Sequence, residues 1–258
     1  MSLNRTPDKE PADGAPAPRG DAPAALKAWD APVLVIHWLN VVAVILLAFT
    51  GGMIMFSDAL RMGVRDTEVM LKTLHGAIGY VVVANLSVRI LWGFVGSPTS
   101  RWRAVLPNET VRRQFLADLS GLLRRRPEAS LSRLLFSRVV TTIILILFLM
   151  MAGTGLFRTA SDLFHPPFGG LIRDFLAAPG VDPASLNPMD PTGTDPKRWG
   201  LMMKLQGHVV GRLHRWGAYS LLVLAALHIA GAVMTETRSG GVIGPMFTGL
   251  RNRPRRKR

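Results

Sequence analysis

Four long and almost uninterrupted apolar blocks constrain this chain more than any other feature of its sequence. They cover residues 33–56, 74–95, 139–156 and 216–234. Because a helix rises about 1.5 Å per residue, about 18–20 apolar residues are needed to cross the hydrocarbon of a bilayer. Each block approaches or exceeds that length, and buried helices of soluble domains are rarely so uniformly apolar. The sequence therefore predicts an all-α membrane protein, a bundle of four transmembrane helices.

The distribution of positive charge predicts how the bundle is oriented. The net charge is +14, and the arginines are concentrated between the second and third blocks and after the fourth. The loop between the third and fourth blocks is balanced by aspartates, and the first loop is nearly neutral. The positive-inside rule then predicts that both termini are cytoplasmic. Topogenic charge near anionic lipid explains the run Arg124-Arg125-Arg126 better than nucleic-acid binding does.

The remaining sequence divides into segments of distinct composition. Residues 1–28 are rich in Pro, Ala and Asp, which predicts a disordered cytoplasmic tail without a cleavable signal. Residues 29–250 form the predicted four-helix domain. Within it, residues 107–134 have the apolar spacing of an amphipathic helix on the cytoplasmic membrane surface, and the proline-rich loop 159–207 is expected to cap the periplasmic face. Residues 251–258 are a basic cytoplasmic tail.

Four of the six histidines lie within or at the edge of the apolar blocks. The chain has no cysteine, which excludes disulfides, iron–sulfur clusters, thiolate ligation and covalently attached haem. An ionisable side chain at membrane depth is costly, so an intramembrane histidine indicates function. A single one could simply bond to a neighbouring helix. Four in register predict a binding site, and they are His37, His75, His214 and His228.

Helical geometry places these histidines in two pairs. His214 and His228 are fourteen residues apart, which corresponds to about 21 Å of rise and an angular offset of about 40° on one helix face. With alternating helix directions, His228 is level with His37 near the cytoplasmic surface, and His75 is level with His214 near the outer surface. His208 falls on the opposite face, outside the hydrocarbon, and is interpreted as a surface residue. His165 is interpreted as a loop residue.

Two imidazoles at the same height on facing helices can hold a flat haem between them, because imidazole nitrogen suits iron. Two axial histidines leave no open iron position, which favours electron transfer over oxygen activation. Each imidazole should donate its second N–H to an acceptor that the sequence does not identify. Propionate partners are expected among the nearby cations, for which a headgroup-facing role is the alternative: Arg89 at the inner level, and Lys72, Lys204, Arg212 and Arg215 at the outer level.

Several runs carry a resemblance to prokaryotic cytochrome b561, a group that shares its fold with the cytochrome b subunits of nickel–iron hydrogenases. The likeness extends over roughly residues 29–250, and the paired histidines of the fourth block are its most specific element. The runs are Trp29-Asp30-Ala31-Pro32-Val33 with His37-Trp38, Leu74-His75-Gly76 with Gly79 and the stretch Arg89 to Gly96, Leu213-His214 with Leu227-His228-Ile229-Ala230-Gly231, and Met246-Phe247-Thr248-Gly249.

The resemblance implies two non-covalent b haems with His37, His75, His214 and His228 as axial ligands. It also implies a bacterial inner-membrane protein that moves electrons between the quinone pool and a periplasmic redox partner, either a c-type cytochrome or an oxidoreductase. Two other functions stay open. One is a stand-alone oxidoreductase that passes electrons from a small molecule such as superoxide to quinone. The other is a haem-free histidine-relay transporter, which predicts mid-membrane carboxylates that the four blocks lack. The sequence leaves open whether the protein is a homodimer.

Overall fold

The computed structural model describes residues 26–27, 29–60, 65–126, 130–135 and 137–251. Within them, nearly all regular structure is helical, and four helices are long and apolar enough to span a membrane. The predicted all-α bundle with four membrane-spanning helices is confirmed. Most of the predicted N-terminal tail 1–28 and the basic tail after residue 251 lie outside the described residues.

The described elements follow one another in a simple order, in which α1, α2, α6 and α9 are the spanning helices. The complete order is β1 (Leu26–Lys27), α1 (Ala31–Met55), α2 (Arg65–Val95), α3 (Trp102–Val105), α4 (Glu109–Leu123), α5 (Leu131–Leu135), α6 (Arg138–Leu163), α7 (Gly169–Leu176), a 3₁₀ turn (Pro183–Ser185), α8 (Pro196–Lys204), a π-helical turn (Leu205–Val210), α9 (Gly211–Ser239), α10 (Ile243–Thr248) and β2 (Leu250–Arg251).

The spanning helices are longer than the apolar blocks that predict them. Helix α1 begins at Ala31 with a proline in its first turn, as predicted, and α2 ends just before Gly96. Helix α6 continues to Leu163, however, and α9 continues to Ser239. The added turns carry polar residues, because an apolar block marks the hydrocarbon core while the helix extends through the headgroup region.

The spanning helices pack as neighbours in the sequence α1–α2–α6–α9. Large apolar side chains on their outer faces are exposed, for example Phe49 at 66%, Leu91 at 65% and Trp216 at 65%. A soluble protein rarely leaves so extensive an apolar surface open to water. The exposed belt is therefore the surface that faces lipid.

At one end of the bundle, here named the loop end, α6 and α9 are connected through residues 164–204. This connection is packed around a hydrophobic cluster whose most buried members are Ala160 and Leu176. Helix α8 passes through the π-helical turn directly into α9, so one helical rod runs from Pro196 to Ser239. The loop predicted at 159–207 is therefore shorter in the structure, since α6 ends at Leu163 and α8, which is continuous with α9, begins at Pro196.

At the opposite end, here named the terminal end, both described termini meet. Strands β1 and β2 pair antiparallel, and the Trp29 N–H donates to the Gly249 carbonyl at 3.2 Å. The Trp38 indole Nε1–H donates to the Met246 carbonyl at 2.9 Å, and its ring packs on Phe247 with centroids 4.6 Å apart. The first and last described residues, 26 and 251, thus lie at one end, while the cytoplasmic location of the termini stays a prediction.

The segment predicted as one amphipathic helix at 107–134 is two helices, α4 and α5. The Asn108 side chain caps α4 by accepting from the Val111 N–H at 2.9 Å. Asp118 of α4 is buried and accepts from the Arg133 guanidinium, with Nε to Oδ2 at 2.6 Å. This bond, together with a second one from the Ser130 N–H, lowers the pKa of Asp118 to about 2. The ion pair fastens α5 to α4 after the intervening turn.

Candidate functional site

The structure brings His75 of α2 and His214 of α9 together at the loop end. Their ring centroids are 6.2 Å apart, and the ring planes meet at 73°. An imidazole nitrogen that binds a metal lies about 2 Å from it, so two rings on opposite sides of one metal have centroids about 6 Å apart. The separation therefore suits two axial ligands of one iron. It also agrees with the common height predicted for these two residues.

The His75 ring is fixed by a threonine of the neighbouring helix α1. Its Nδ1 lies 2.9 Å from the Thr50 Oγ1, and Thr50 is itself buried. The Thr50 hydroxyl donates its hydrogen to the Leu46 carbonyl at 2.8 Å. A hydroxyl has one hydrogen, so toward His75 it acts as an acceptor. His75 then carries its proton on Nδ1, and Nε2 keeps the lone pair that can bind a metal.

The His214 ring is fixed in the same way by helix α6. Its Nδ1 lies 2.9 Å from the Thr154 Oγ1, and the Thr154 hydroxyl donates to the Met150 carbonyl at 2.7 Å. The second N–H acceptors left open by the sequence are therefore these two threonines. The third apolar block contains no histidine of its own, but its Thr154 holds one of the imidazoles.

A glycine follows each of these threonines and lies against the same ring. A Cβ at Gly51 would lie 3.3 Å from the His75 Cε1, and a Cβ at Gly155 would lie 3.5 Å from the His214 Cε1. The absent side chains allow each helix to approach the imidazole that it holds. The Thr-Gly pair is repeated at 50–51 and 154–155, but only the packing of the helices shows that each pair faces an imidazole.

A cavity of about 580 Å³ opens around His75 and His214. This volume lies within the roughly 300–1,000 Å³ that is typical of cofactor sites. Six glycines contribute to the lining, which lets a large ring approach the backbone of all four spanning helices: Gly51, Gly52, Gly76, Gly79, Gly155 and Gly211. The other lining residues are mostly apolar, as a porphyrin plane requires. The residues present therefore fit a haem.

Cationic side chains line the cavity on the side of the loop segment. Lys72, Arg215 and Arg158 line it, together with the buried Asp162. Lys72 Nζ lies 3.5 Å from the Asp162 carboxylate, and Arg158 Nη2 lies 3.7 Å from it. Arg158 acts electrostatically on both imidazoles. Sequence reasoning missed it because the residue lies beyond the third apolar block, in the part of α6 that the block does not predict.

The other loop-end candidates do not line this cavity. The Arg212 Nε–H donates to the His208 carbonyl at 2.7 Å, which turns its guanidinium back along its own helix. Lys204 is likewise outside the lining. His208 lies in the π-helical turn and is exposed. His165 follows α6, where its N–H donates to the Thr159 carbonyl at 3.3 Å.

The second predicted pair, His37 of α1 and His228 of α9, lies toward the terminal end. Its members interact electrostatically. Close by, the buried Asn85 of α2 donates to the Ile36 carbonyl at 2.9 Å and to the Asn40 Oδ1 at 2.7 Å. These bonds clamp α1 to α2 at the turn that carries His37.

Arg89, predicted at the same level, extends over the Trp102 ring, with Cζ 4.9 Å from the centroid. Its Nη1 is buried and has no hydrogen-bond partner in the described part of the chain. A buried guanidinium nitrogen without a partner is costly, so this atom is suited to an anionic group such as a propionate.

Among the described residues, no three His, Asp or Glu side chains converge as a bare metal ion would need. His75 and His214 instead meet as a pair, as a haem site requires.

Comparison with known proteins agrees with this geometry. The family described as prokaryotic cytochrome b561 matches residues 28–249. A probable Ni/Fe-hydrogenase B-type cytochrome subunit of Bradyrhizobium diazoefficiens is 25% identical, over 86% of this chain and 84% of that protein. The protein of the same description from Rhodobacter capsulatus is 25% identical, over 86% of this chain and 80% of that one.

A third relative of that description, from Cupriavidus necator, is 27% identical over 48% of this chain, and the match spans 51% of the relative's length. No solved structure matches the chain. The family match covers nearly all of the four-helix domain, and a b-type haem follows from the family. The chain therefore belongs to the prokaryotic cytochrome b561 family, and it is a multi-pass membrane cytochrome of the b type that serves electron transfer.

Proposed function

We propose that this protein is a dihaem cytochrome that carries electrons across the membrane between the quinone pool and a periplasmic redox partner. The observation that carries the proposal is the His75–His214 pair, whose ring centroids are 6.2 Å apart across a cavity of cofactor size. The same helical register would bring His37 and His228 to one level. Two sites at opposite ends of the bundle would give electrons a path across the bilayer.

Each site has its own set of residues in this proposal. His75 and His214 would hold the loop-end haem, with Lys72, Arg158 and Arg215 near its propionates. His37 and His228 would hold the terminal-end haem, with the Arg89 guanidinium as a propionate partner. Arg212 stays a sequence-based candidate, because its guanidinium bonds to the His208 carbonyl. Bound haem supplies one-electron redox chemistry.

The chain contributes orientation, exclusion of water and a closed coordination sphere. The threonine bonds keep both Nε2 lone pairs free to serve as ligands, and the glycines let the helices approach the ring plane. A mostly apolar lining lowers the local dielectric, which favours a neutral imidazole on each side. If His75 and His214 both bound the haem iron, no coordination position would remain for a small gas, and the site would be restricted to electron exchange.

The loop end would be the docking surface for the redox partner. Three relatives are described as hydrogenase B-type cytochrome subunits, which supports an oxidoreductase as the partner class. Residues 164–204 form a packed platform above the loop-end site. By the positive-inside rule this end would lie in the periplasm, and a periplasmic oxidoreductase or c-type cytochrome would approach it there. Quinone would exchange electrons with the other site.

The test begins with the purified chain in detergent. A pyridine haemochrome assay should give two b haems per polypeptide, and a quinol analogue should reduce them in a stopped-flow experiment. A reduced partner protein should then exchange electrons with the same preparation. A ratio of one haem would exclude the dihaem proposal, and a chain without haem would exclude the cytochrome proposal as a whole.

A second candidate function is supported by the cations near the loop-end cavity. Lys72, Arg158 and Arg215 outnumber the single carboxylate of Asp162 there, and net positive charge attracts small anions such as superoxide. In that case the isolated chain would reduce quinone with superoxide and without any partner protein. The histidine-relay transporter has less support, because Asp162 lies in the last turn of α6 rather than at mid-membrane.

A further inference from the structure

The two loop-end imidazoles are held by the same arrangement of a threonine and a glycine, which occurs twice in the bundle. In the first helix pair, Thr50 of α1 holds His75 of α2, and in the second pair Thr154 of α6 holds His214 of α9. The two hydrogen bonds have the same length, 2.9 Å, and end on the same ring atom, Nδ1. In both cases a glycine next to the threonine lies against Cε1 of the held ring.

The back-bond of each threonine fixes the direction of the hydrogen bond to the histidine. Thr50 and Thr154 donate to the carbonyls four residues earlier, at 2.8 Å and 2.7 Å. The hydroxyl hydrogen is thereby occupied, and the oxygen presents a lone pair to the imidazole. A chain of bonds therefore runs from Nδ1–H through the hydroxyl to the helix backbone. It leaves both rings in the tautomer that has Nε2 as a free ligand atom.

We propose that Thr50 and Thr154 are positioning residues that set the ring orientation and the ligand strength of His75 and His214, and through them the reduction potential of the loop-end haem. This inference rests on the proposed function, since it requires a haem between the two rings. It concerns groups that would not themselves touch the iron.

The physical reason is the hydrogen bond that each imidazole Nδ1–H donates to its threonine. An imidazole that donates its second N–H to an acceptor gains basicity at the ligating nitrogen. A more basic ligand stabilises the oxidised iron more than the reduced iron. Loss of the acceptor should therefore move the reduction potential of this haem to a more positive value. The same bond, with the glycine behind the ring, also holds the interplanar angle near the observed 73°.

The experiment uses Thr50→Val and Thr154→Val in the full chain, because valine keeps the shape of threonine and removes the hydroxyl. Each purified variant is measured for haem content, for both midpoint potentials by potentiometric titration, and for the ferric EPR spectrum. We expect wild-type haem content, one potential shifted to a more positive value, and an altered EPR signal for that haem only. The EPR signal responds to the angle between the imidazole planes.

Thr142→Val is the matched control, because Thr142 of α6 makes the same back-bond, to the Arg138 carbonyl at 2.8 Å, on the same helix as Thr154. It should leave both potentials unchanged. Thr50→Ser and Thr154→Ser retain a hydroxyl and should restore the wild-type potential. If a valine variant fails to fold, a serine variant that binds haem with a shifted potential and altered EPR signal would count against the inference.

The outcomes separate this inference from the proposed function. A wild-type chain without haem defeats the proposed function itself. A haem-loaded wild type whose valine variants keep both potentials and both EPR signals defeats the inference and leaves the proposed function standing. A shift of equal size in Thr142→Val would show a general effect of removing a hydroxyl, and it would also overturn the inference.

Discussion

The hydrogen bonds near the histidines differ between the two ends of the bundle. At the loop end, the hydrogen bonds fasten the ligand rings themselves, through Thr50 and Thr154. At the terminal end, the bonds near the histidines fasten helices to one another. There Asn85 clamps α2 to α1, and Trp38 ties α1 to the segment after α9. The bonds described at the loop end orient the imidazoles themselves, and those described at the terminal end join the helices around His37.

This difference between the two ends indicates that the two proposed haem sites are structurally independent. At the loop end, the cavity is bounded by all four spanning helices, and each ring has a dedicated support. At the terminal end, the geometry depends on how α1, α2 and α10 meet. A substitution at one end should therefore leave the ligands of the other end in place, about 20 Å away along α9 by helical rise. The predictions below test this separation.

The largest expected effect is the loss of one haem out of two. His75→Ala or His214→Ala should halve the haem content and remove only the loop-end signal, whereas His37→Ala or His228→Ala should remove only the other one. The reason is that one remaining imidazole cannot hold the ring from both sides. The pyridine haemochrome assay and the two-step potentiometric titration measure this. Loss of both haems from a single variant would contradict separability.

The second largest effect is expected on thermal stability, for Asn85→Leu at the terminal end. The substitution removes both clamp bonds of a buried amide and leaves the Asn40 Oδ1 without this donor, a cost of about 1–3 kcal/mol. We expect a lower thermal unfolding temperature in detergent and an unchanged potential of the loop-end haem. Ser87→Ala is a suitable control, because the Ser87 hydroxyl bonds only within α2, to the Val83 carbonyl at 2.9 Å. A shift of the loop-end potential in Asn85→Leu would show that the ends are coupled.

A smaller and pH-dependent effect is expected for Asp118→Asn. Asp118 has a pKa lowered to about 2 by Arg133, against about 3.9 in an unfolded chain. A depressed folded pKa means that the ion pair stabilises the protein above about pH 4 and that this stabilisation is lost as the pH falls toward about 2. Because Arg133 is half exposed, we expect about 1 kcal/mol at pH 7.

The measurement for Asp118 is thermal unfolding of wild type and variant across this pH range. The difference between the two should shrink as the pH falls, and both haem spectra should match wild type at pH 7. A difference that is constant with pH would rule out the carboxylate as its source.

The smallest expected effect is a change in the EPR signal that distinguishes Gly51, next to the His75 ring, from Gly155, next to the His214 ring. A Cβ at Gly51 would come within 3.3 Å of the His75 ring, closer than most such contacts, whereas a Cβ at Gly155 would make an ordinary contact at 3.5 Å from His214. Gly51→Ala should therefore change the EPR signal of the loop-end haem slightly, and Gly155→Ala should change it less. Equal and large changes would show that the backbone has no room to adjust at either position.

The sequence predicts the bundle and the pairing of His75 with His214 because both depend on simple periodicity. Four apolar blocks are long enough to span a membrane, and fourteen residues of helix rise set the level of each histidine. Helix ends are less predictable, since the apolar signal stops where the headgroup region begins. This is the reason that Arg158 and Asp162, in the final turns of α6, were missed.

The threonine supports could not be predicted, because they depend on which helices are neighbours and how each is rotated. A threonine in an apolar helix usually satisfies its hydroxyl on its own backbone, as Thr142 does. Only the packed structure shows that Thr50 and Thr154 also face an imidazole. The orientation of Arg212 could not be predicted for the same reason. Its sequence position is near the site, but its guanidinium donates to the His208 carbonyl and points away from the cavity.

The unbroken rod from Pro196 to Ser239 has a mechanical consequence. Met202, in the hydrophobic cluster of the loop end, and His214, in the cavity, lie on this one rod, twelve residues or about 18 Å apart. Between them the helix continues through the π-helical turn at Leu205–Val210 without a loop. A force that tilted α8 would therefore be transmitted along the same helical rod toward His214.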